Sequence, residues 1–199
     1  MSDQMYLIDD AARALLFTEA RTANTFDDTP VSDEQIAAVY DLVRFGPTTM
    51  NTQPFRMVLA RSDEARQRVL GHLLPGNRAK AESAPLIAVF AVDLDFHDRL
   101  VDTFPHFAGA RDVFADDAFR ERTAYHQGWL QAGYVIVGLR SIGLAAGPML
   151  GYDAAGLDAD LFADSRWRSL MVVNIGRPGP DAWQERLPRL AYDEVVRNI

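Results

Sequence analysis

The spacing of hydrophobic and polar positions along the first half of the chain predicts two helices. Residues 10–20, DAARALLFTEA, are rich in helix formers and carry apolar side chains at helical spacing, so the first helix should end near Ala20. Ser32 precedes DEQIAAVYDLVRF, in which Gln35 completes a capping box, and Gly46 ends this second helix. The apolar stripe of the second helix consists of Ile36, Val39, Tyr40 and Val43.

The next part of the chain predicts two strands with a helix between them. FRMVLAR, residues 55–61, alternates as a strand does. Ser62 then caps a short helix, DEARQRVLGHLL, that Pro75 and Gly76 break. APLIAVFAVD, residues 84–93, has the continuous apolar character of a buried strand.

The second half of the chain holds a long irregular segment, a long helix and a last strand. Residues 94–120 mix aromatic and acidic side chains and exceed most connections in length, which predicts a lid. The helix predicted for residues 122–144 has few charges, so it should be buried nearly all round, with small residues that let another helix approach. GPMLGYD, residues 147–153, predicts a sharp loop, SLMVVNIGRP, residues 169–178, a buried strand, and residues 186–199 a C-terminal arm.

These elements predict one α+β sandwich. Helices and strands do not alternate regularly, and no G-x-G-x-x-G turn follows a strand, which argues against a doubly wound dinucleotide-binding fold. A chain of 199 residues that is 48% hydrophobic can form a single core, so we expect one domain over residues 1–199. The amino terminus has acids where a signal peptide needs basic residues, and no apolar run is long enough for a membrane span, which predicts a cytoplasmic protein.

Charge and composition narrow the chemistry. The net charge of −8 argues against nucleic acid or an anionic membrane as a partner, so a bound anion requires a local basic pocket. Cysteine is absent, which excludes thiolate chemistry and means that redox work requires a cofactor. The histidines lack zinc-type spacing, so no metal site is predicted. They are His72, His97, His106 and His126.

Two polar segments in the first third of the chain suggest binding, each with a simpler alternative. In ARTANTF, residues 20–26, a guanidinium fork and short donors follow a helix and suit a phosphate, although the segment taken alone favours a solvated helix end. GPTTMNTQPFR, residues 46–56, is uncharged up to Phe55 and rich in hydroxyls and amides. It suits a flat polar ligand, or forms a turn fixed by Pro47 and Pro54.

Two further segments carry the same ambiguity. In GNRAKAESAP, residues 76–85, Asn77 and Lys80 have the spacing of one helical face. Lys80 is the only lysine of the chain, either by chance or because a compact ammonium is required there. AAGPMLGYD and NIGRP offer glycines that let backbone N–H groups approach a ligand, and Arg177 ends the second of them.

Taken together and in this order, the segments resemble the FMN-dependent nitroreductase family over essentially the whole chain. The resemblance is greatest to the short-chain branch that contains malonic semialdehyde reductase and relatives named NADH dehydrogenase/NAD(P)H nitroreductase. The matching stretches are LFTEARTANTF, VSDEQIAAVYDLVRFGPTTMNTQPFR, GNRAKAESAP, FPHFAGARDVF, GLAAGPMLGYD, NIGRP and RLPRLAYDE.

The resemblance implies a nitroreductase-like sandwich, with a central, mostly antiparallel sheet flanked by helices, in an intertwined homodimer. It implies FMN as the cofactor, NADH or NADPH as the co-substrate, and ping-pong hydride transfer through flavin N5 to a small acceptor such as an aldehyde acid, a nitroaromatic or a quinone. The alternatives are a flavin-binding carrier or regulator without turnover, and a structural dimer in which the polar segments are turns.

The resemblance also implies roles for individual residues. The phosphate and ribityl chain are assigned to Arg21, Thr22 and Asn24, with Arg177 assisting at the phosphate. A loop from the opposite subunit borders the flavin through Thr48, Thr49, Asn51 and Gln53. The pyrimidine edge is assigned to Asn77 and Lys80, and the vicinity of N5 to Gly147, Pro148 and Met149. Many family members have a second basic residue where this chain has Asn24, which places more of the phosphate binding on the two arginines.

The lid segment contains one candidate for acceptor recognition. In FPHFAGARDVF, the rings of Phe104, Phe107 and Phe114 are suited to exclude water, and Arg111 is suited to recognise a carboxylate. The alternative is that Arg111 forms only surface ion pairs with its acidic neighbours, Asp112 and Asp116.

Overall fold

The structure, a computed structural model, describes residues 6–199. Four antiparallel strands form the centre of this part of the protein. Residues 1–5, which belong to the amino-terminal stretch used in the charge argument, lie outside the described residues. The strands are β1, Phe55–Ala60, β2, Leu86–Asp93, β3, Ala145–Met149, and β4, Trp167–Gly176, in the spatial order β1-β2-β4-β3. The two central strands, β2 and β4, are buried along almost their whole length, as their apolar runs predict.

Helices cover both faces of this sheet, which confirms the predicted α+β sandwich. Alternate residues of β2 belong to two separate cores. Phe90 and its neighbours on one face pack with α2, Asp33–Val43, and α6, Asp117–Ser141. Val89 and its neighbours on the other face pack with α3, Asp63–His72, and α7, Ala154–Leu161.

Local capping decides where the first helices begin. The first helix, α1, spans Asp10–Arg13 and continues as a π-helix over Ala14–Thr18, close to the predicted range. The capping box of Ser32 and Gln35 is present, and the Ser62 side chain accepts a hydrogen bond at the start of α3, both as predicted. The helix that begins after Ser62 ends before Pro75, as predicted. Pro75 also starts a new helix, α4, Pro75–Glu82, because the first helical turn tolerates a missing N–H.

The long helix α6 differs from its prediction in two respects. It begins at Asp117 rather than at residue 122, because the Asp116 side chain accepts a hydrogen bond from the Phe119 N–H at 2.7 Å and caps it. It is also not buried all round. One face of the single chain exposes Trp129, Leu130 and Tyr134 to solvent.

The prediction of a loop at residues 147–153 is wrong for its first half. Gly147, Pro148 and Met149 lie within β3, and the loop begins only at Leu150. Proline is accepted in this strand because β3 is an edge strand and pairs only with β4.

The segment over residues 94–120 is anchored at its base by the core. It contains 3-10 turns at Phe96–Arg99 and Asp112–Phe114 and the short helix α5, Leu100–Thr103. The rings of Phe96 and Phe114 meet edge to face at 5.0 Å and are buried, so Phe114 belongs to the core and not to a covering surface. The buried Arg120 donates to the carbonyls of Leu94 and Phe114, while Phe107 remains exposed near the tip.

The C-terminal arm extends from the body of the domain. Residues 183–199 are exposed throughout and contain one short helix, α8, Tyr192–Val195. Within residues 6–199, none of the helices combines the length and apolar character that crossing a bilayer requires.

Candidate functional site

A cavity of 230 Å³ lies where the segment of residues 20–26, helix α4 and strands β3 and β4 meet. It gathers predicted site residues from three separate parts of the sequence. Its lining consists of Thr22, Ala23, Asn24, Asn77, Lys80, Gly147, Pro148, Met149, Leu150 and Asn174. The sequence prediction that these segments share one site is therefore consistent with their positions in the fold.

Glycine at position 147 lets the segment of residues 20–26 lie against the sheet. A Cβ atom at Gly147 would lie 3.1 Å from the Ala23 carbonyl oxygen and 3.4 Å from the Cβ of Asn174, tighter than or at the limit of ordinary contact. Asn24 holds the same segment in place, because its backbone N–H and its side-chain Nδ2 both donate to the Ala182 carbonyl, at 3.0 and 3.3 Å. The close approach explains why this edge of the sheet requires glycine.

Helix α4 is tied to the turn that follows β3. The Leu74 N–H and Asn77 Nδ2 both donate to the Gly151 carbonyl at 3.0 Å, and a Cβ atom at Gly151 would lie 2.5 Å from that Nδ2. One helical turn later, Lys80 reaches the same cavity with an exposed side chain. Among the described residues, its ammonium has no ion-pair partner, so it is available to a ligand.

A second cavity, of 260 Å³, adjoins the first, because Thr22 and Asn24 line both. Its basic residues are Arg21, Arg186 and Arg189. Arg21 Nη1 donates to the Gln184 carbonyl at 3.0 Å, and Arg186 Nη2 donates to the Thr18 carbonyl at 2.7 Å, so these bonds also hold the start of the C-terminal arm. Glu185 also lines this cavity, but three guanidinium groups against one carboxylate make it a local concentration of positive charge in an acidic protein.

Sequence reasoning missed Arg186, Arg189 and Asn174. The two arginines stand in RLPRLAYDE, which served only as a matching stretch, and their position near Arg21 depends on the path of the arm. Asn174 could have been found, because it is the one strongly polar residue in the buried run LMVVNIG. Arg177, by contrast, is exposed and lines neither cavity in this chain.

The proline loop, residues 46–56 with Pro47 and Pro54, does not reach the two cavities of its own chain. Thr48 Oγ1 accepts from the Gln53 N–H at 3.3 Å, Gln53 Nε2 donates to Asn51 Oδ1 at 2.9 Å, and Asn51 Nδ2 donates to the Thr103 carbonyl at 2.7 Å. The Thr49 N–H donates to Gln127 Oε1 at 2.9 Å. The loop is therefore fastened to the segment of residues 94–120 and to α6.

The same loop holds an unusual backbone conformation. Met50, Asn51 and Gln53 have φ angles of 49°, 52° and 44°, in the left-handed region that residues other than glycine seldom adopt. Several such residues in one short loop are costly and are typical of functional segments.

Arg111 also lies outside the two cavities of its own chain. It is exposed, and its Nε donates to Asp98 Oδ1 at 2.7 Å, so its acidic partner is Asp98 rather than the predicted Asp112 or Asp116. The hydrogen bond from Arg111 is the main reason that the pKa of Asp98 is lowered from its ordinary value.

The two cavities together fit a flat polar ring that is joined to a phosphate. The first supplies carboxamides, a hydroxyl and one ammonium, whereas the second supplies guanidinium groups that match phosphate oxygens. FMN has this composition, and the buried, unpaired Oδ1 of Asn174 is a further polar atom that such a ligand can satisfy. In residues 6–199, no group of three or more metal-ligating side chains is assembled.

The fold and the site thus define an α+β protein in which a polar cavity adjoins a basic one, a composition that suits a phosphorylated aromatic ligand. The model of the nitroreductase family matches residues 18–177, and the chain belongs to this family. A Streptomyces coelicolor protein provisionally named NADH dehydrogenase/NAD(P)H nitroreductase is 54% identical over 97% of this chain and 98% of its own length. Family membership confirms the predicted family and the predicted oxidoreductase class.

Solved structures confirm the fold. A provisionally assigned nitroreductase from Exiguobacterium sibiricum, solved in complex with FMN, matches with a TM-score of 0.83 at 15% identity, over 98% of this chain and 99% of its own. A provisionally assigned NAD(P)H:FMN oxidoreductase from Staphylococcus epidermidis matches with a TM-score of 0.80 at 17% identity, over 98% of both chains. The predicted nitroreductase-like sandwich is therefore correct.

Proposed function

We propose that this protein is an FMN-dependent oxidoreductase that takes reducing equivalents from NADH or NADPH and passes them to a small acceptor. The observation that carries the proposal is the junction, at Thr22 and Asn24, of a hydrogen-bonding cavity whose only charged lining residue is Lys80 with a cavity that contains three arginines. The names of the Streptomyces relative and of the FMN-bound Exiguobacterium structure support the same cofactor and co-substrate.

Different groups of lining residues would bind different parts of FMN. Arg21, with Arg186 and Arg189, would hold the phosphate, and Thr22 and Asn24 would accompany the polyhydroxyl chain. The pyrimidine edge would meet Asn77 and Lys80, and one ring face would lie along the β3 residues Gly147, Pro148 and Met149. A role of Arg177 at the phosphate stays a prediction.

FMN, when bound, supplies two-electron redox chemistry, so the chain itself has to bind, orient and exclude water. The cavity is suited to this because most of its polar groups are neutral. Lys80 adds a single cation that stabilises negative charge developing on the pyrimidine part of the ring. This arrangement favours turnover over the alternative of a flavin carrier.

A second copy of the chain would complete the site. The proline loop and the segment of residues 94–120 are fastened together but lie outside their own chain's cavities, so we propose that they border the cavity of the partner in a homodimer. The exposed apolar side chains on α2, directly after α2 and on α6 would give such a dimer its contact surface. They are Tyr40, Phe45, Trp129, Leu130 and Tyr134.

Leu130→Glu is expected to raise the dissociation constant of the dimer at least about tenfold, because it places a charge in an apolar contact. Ala159→Glu, at an exposed position of α7 on the opposite side of the sheet, is the matched control and should leave the dimer intact. Sedimentation equilibrium measures both variants. A wild-type protein that binds FMN as a stable monomer would contradict the proposed dimer.

Within this dimer, we propose that residues 94–120 act as a lid and that Arg111 recognises an anionic acceptor. Its Nε pairs with Asp98, whereas its Nη atoms have no hydrogen-bond partner among the described residues, so they can meet a carboxylate. Arg111→Ala should lower kcat/KM for a small aldehyde acid about tenfold and leave that for a neutral quinone nearly unchanged. Arg99→Ala, which removes another exposed ion pair of this segment, is the control. Equal losses for both acceptors would refute the role of Arg111.

The proposed function is tested by the purified protein itself. It should take up FMN in a 1:1 ratio and oxidise NADH or NADPH when a quinone, a nitroaromatic compound or malonic semialdehyde is supplied. Failure to bind FMN would refute the proposal, and FMN binding without turnover of any acceptor would favour the carrier. The identity of the acceptor and the cytoplasmic location stay predictions.

A further inference from the structure

Strand β4 contains two buried polar side chains with an atom that lacks a hydrogen-bond partner among the described residues, Ser169 Oγ and Asn174 Oδ1. Of the two, only Asn174 lines the cavity formed with β3, α4 and residues 20–26. From Leu170 to Ile175 the strand is buried and otherwise apolar, yet it includes Asn174, which is 1% exposed. Asn174 Oδ1 has no hydrogen-bond partner among the described residues, and its Nδ2 reaches only the Met149 sulfur, at 3.8 Å. Buried polar atoms without partners are rare in folded proteins and call for an explanation.

The position of Asn174 supplies that explanation. In the register of β3 and β4, Asn174 stands opposite Gly147, so both residues present the same face of the sheet, and this face lines the space between the two strands, α4 and residues 20–26. That space is the cavity in which Asn24, Asn77 and Lys80 also lie. The unpaired carboxamide therefore belongs to the wall of a polar cavity.

The other carboxamides of this cavity are less buried than Asn174, and their Nδ2 atoms are already bonded to the protein. Asn24 Nδ2 donates to the Ala182 carbonyl and Asn77 Nδ2 to the Gly151 carbonyl. Lys80 can only donate hydrogen bonds. Asn174 is thus the buried group of the cavity that still has both a donor and an acceptor to offer a ligand.

We infer that Asn174 is a ligand-contacting residue of this site, and that its carboxamide hydrogen-bonds to the polar edge of the bound ring. The inference rests on the proposed function. The pyrimidine edge of a flavin places an N–H donor between two carbonyl acceptors, and a carboxamide carries the complementary pair of groups. The cost of burying an unpaired amide in the ligand-free protein is then recovered when the ligand binds.

Asn174→Leu separates this role from a structural one, because leucine has the same number of side-chain heavy atoms, branched at the same carbon, and no polar atom. Without FMN, the variant should unfold at a temperature about 2–4 °C higher than the wild type, since a buried unpaired amide is removed. Its dissociation constant for FMN should rise about tenfold, and the visible spectrum of the bound flavin should shift. Ser169→Ala removes another buried polar side chain of β4, outside the cavity, and should leave FMN affinity unchanged.

The outcomes distinguish this inference from the proposed function. Wild-type protein that fails to bind FMN refutes the proposed function and this inference with it. Wild-type protein that binds FMN, with unchanged affinity and spectrum in Asn174→Leu, overturns the inference alone. If the leucine variant does not fold, Asn174→Ser decides: a several-fold weaker affinity for FMN supports the contact, and an affinity equal to that of the wild type overturns it.

Discussion

Replacing Arg21 and Arg186 together with alanine is expected to remove nearly all affinity for FMN. Both guanidinium groups line the cationic cavity, and each is already oriented by a hydrogen bond to a backbone carbonyl, of Gln184 and Thr18 respectively. A hydrogen bond between charged groups contributes about 1.5–3 kcal/mol, so losing two should weaken binding by roughly two to four orders of magnitude. Titration of the apoprotein with FMN, followed by flavin fluorescence, measures the loss.

Riboflavin is the control ligand for this prediction, because it has the same ring and polyhydroxyl chain but no phosphate. If the arginines bind phosphate, the double variant should lose affinity for FMN and keep most of its weaker affinity for riboflavin. Equal losses for both ligands would mean that the arginines only hold the C-terminal arm in place. Arg197→Ala, farther along the exposed arm, should affect neither ligand.

The same titration tests Arg177, the residue after β4 that the resemblance assigned to the phosphate. Arg177 is exposed and lines neither cavity in a single chain. If Arg177→Ala weakens FMN binding while riboflavin binding is retained, Arg177 reaches the phosphate in the assembled protein. An unchanged affinity would leave Arg186 and Arg189 as the partners of Arg21.

Local signals predicted the parts of the fold that local interactions determine. The caps at Ser32 and Ser62 are made within three residues along the chain, so the sequence is sufficient to place them. Strand β3 was mistaken for a loop because glycine and proline favour loops locally, whereas pairing with β4, more than twenty residues later, makes it a strand. Asp116 was overlooked as a cap because it stands in an acidic run that looked irregular.

The candidate site also combines features that local sequence determines with features that only the tertiary structure determines. Asn77 and Lys80 could be predicted to share a face because one helical turn separates them. The unpaired state of Asn174 depends on what surrounds it in three dimensions, and the place of Arg186 depends on the path of the arm back to Thr18. The proline loop was predicted to border the ligand, but it lies outside the two cavities of its own chain, so this prediction depends on the proposed second copy.

Gly128→Ala is expected to lower the free energy of unfolding by about 3 kcal/mol, at the upper end of the usual cost of overfilling a core. Gly128 lies in the middle of α6, where the helix rests directly on the sheet. A Cβ atom there would lie 2.2 Å from Val92 Cγ1 and 3.1 Å from Leu170 Cδ1. Valine has few rotamers with which to move aside, so the helix itself would have to shift.

Two further variants make this prediction decisive. Gly71→Ala, in α3, adds the same methyl group where no atom lies within 4 Å, and should instead stabilise by about 0.5–1 kcal/mol through helix propensity. Val92→Ala removes the obstructing side chain, so Gly128→Ala should cost far less in the Val92→Ala background than in the wild type. Urea unfolding of the apoproteins at one protein concentration gives all these values. If Gly128→Ala costs the same in both backgrounds, contact with Val92 is not what requires glycine at this position.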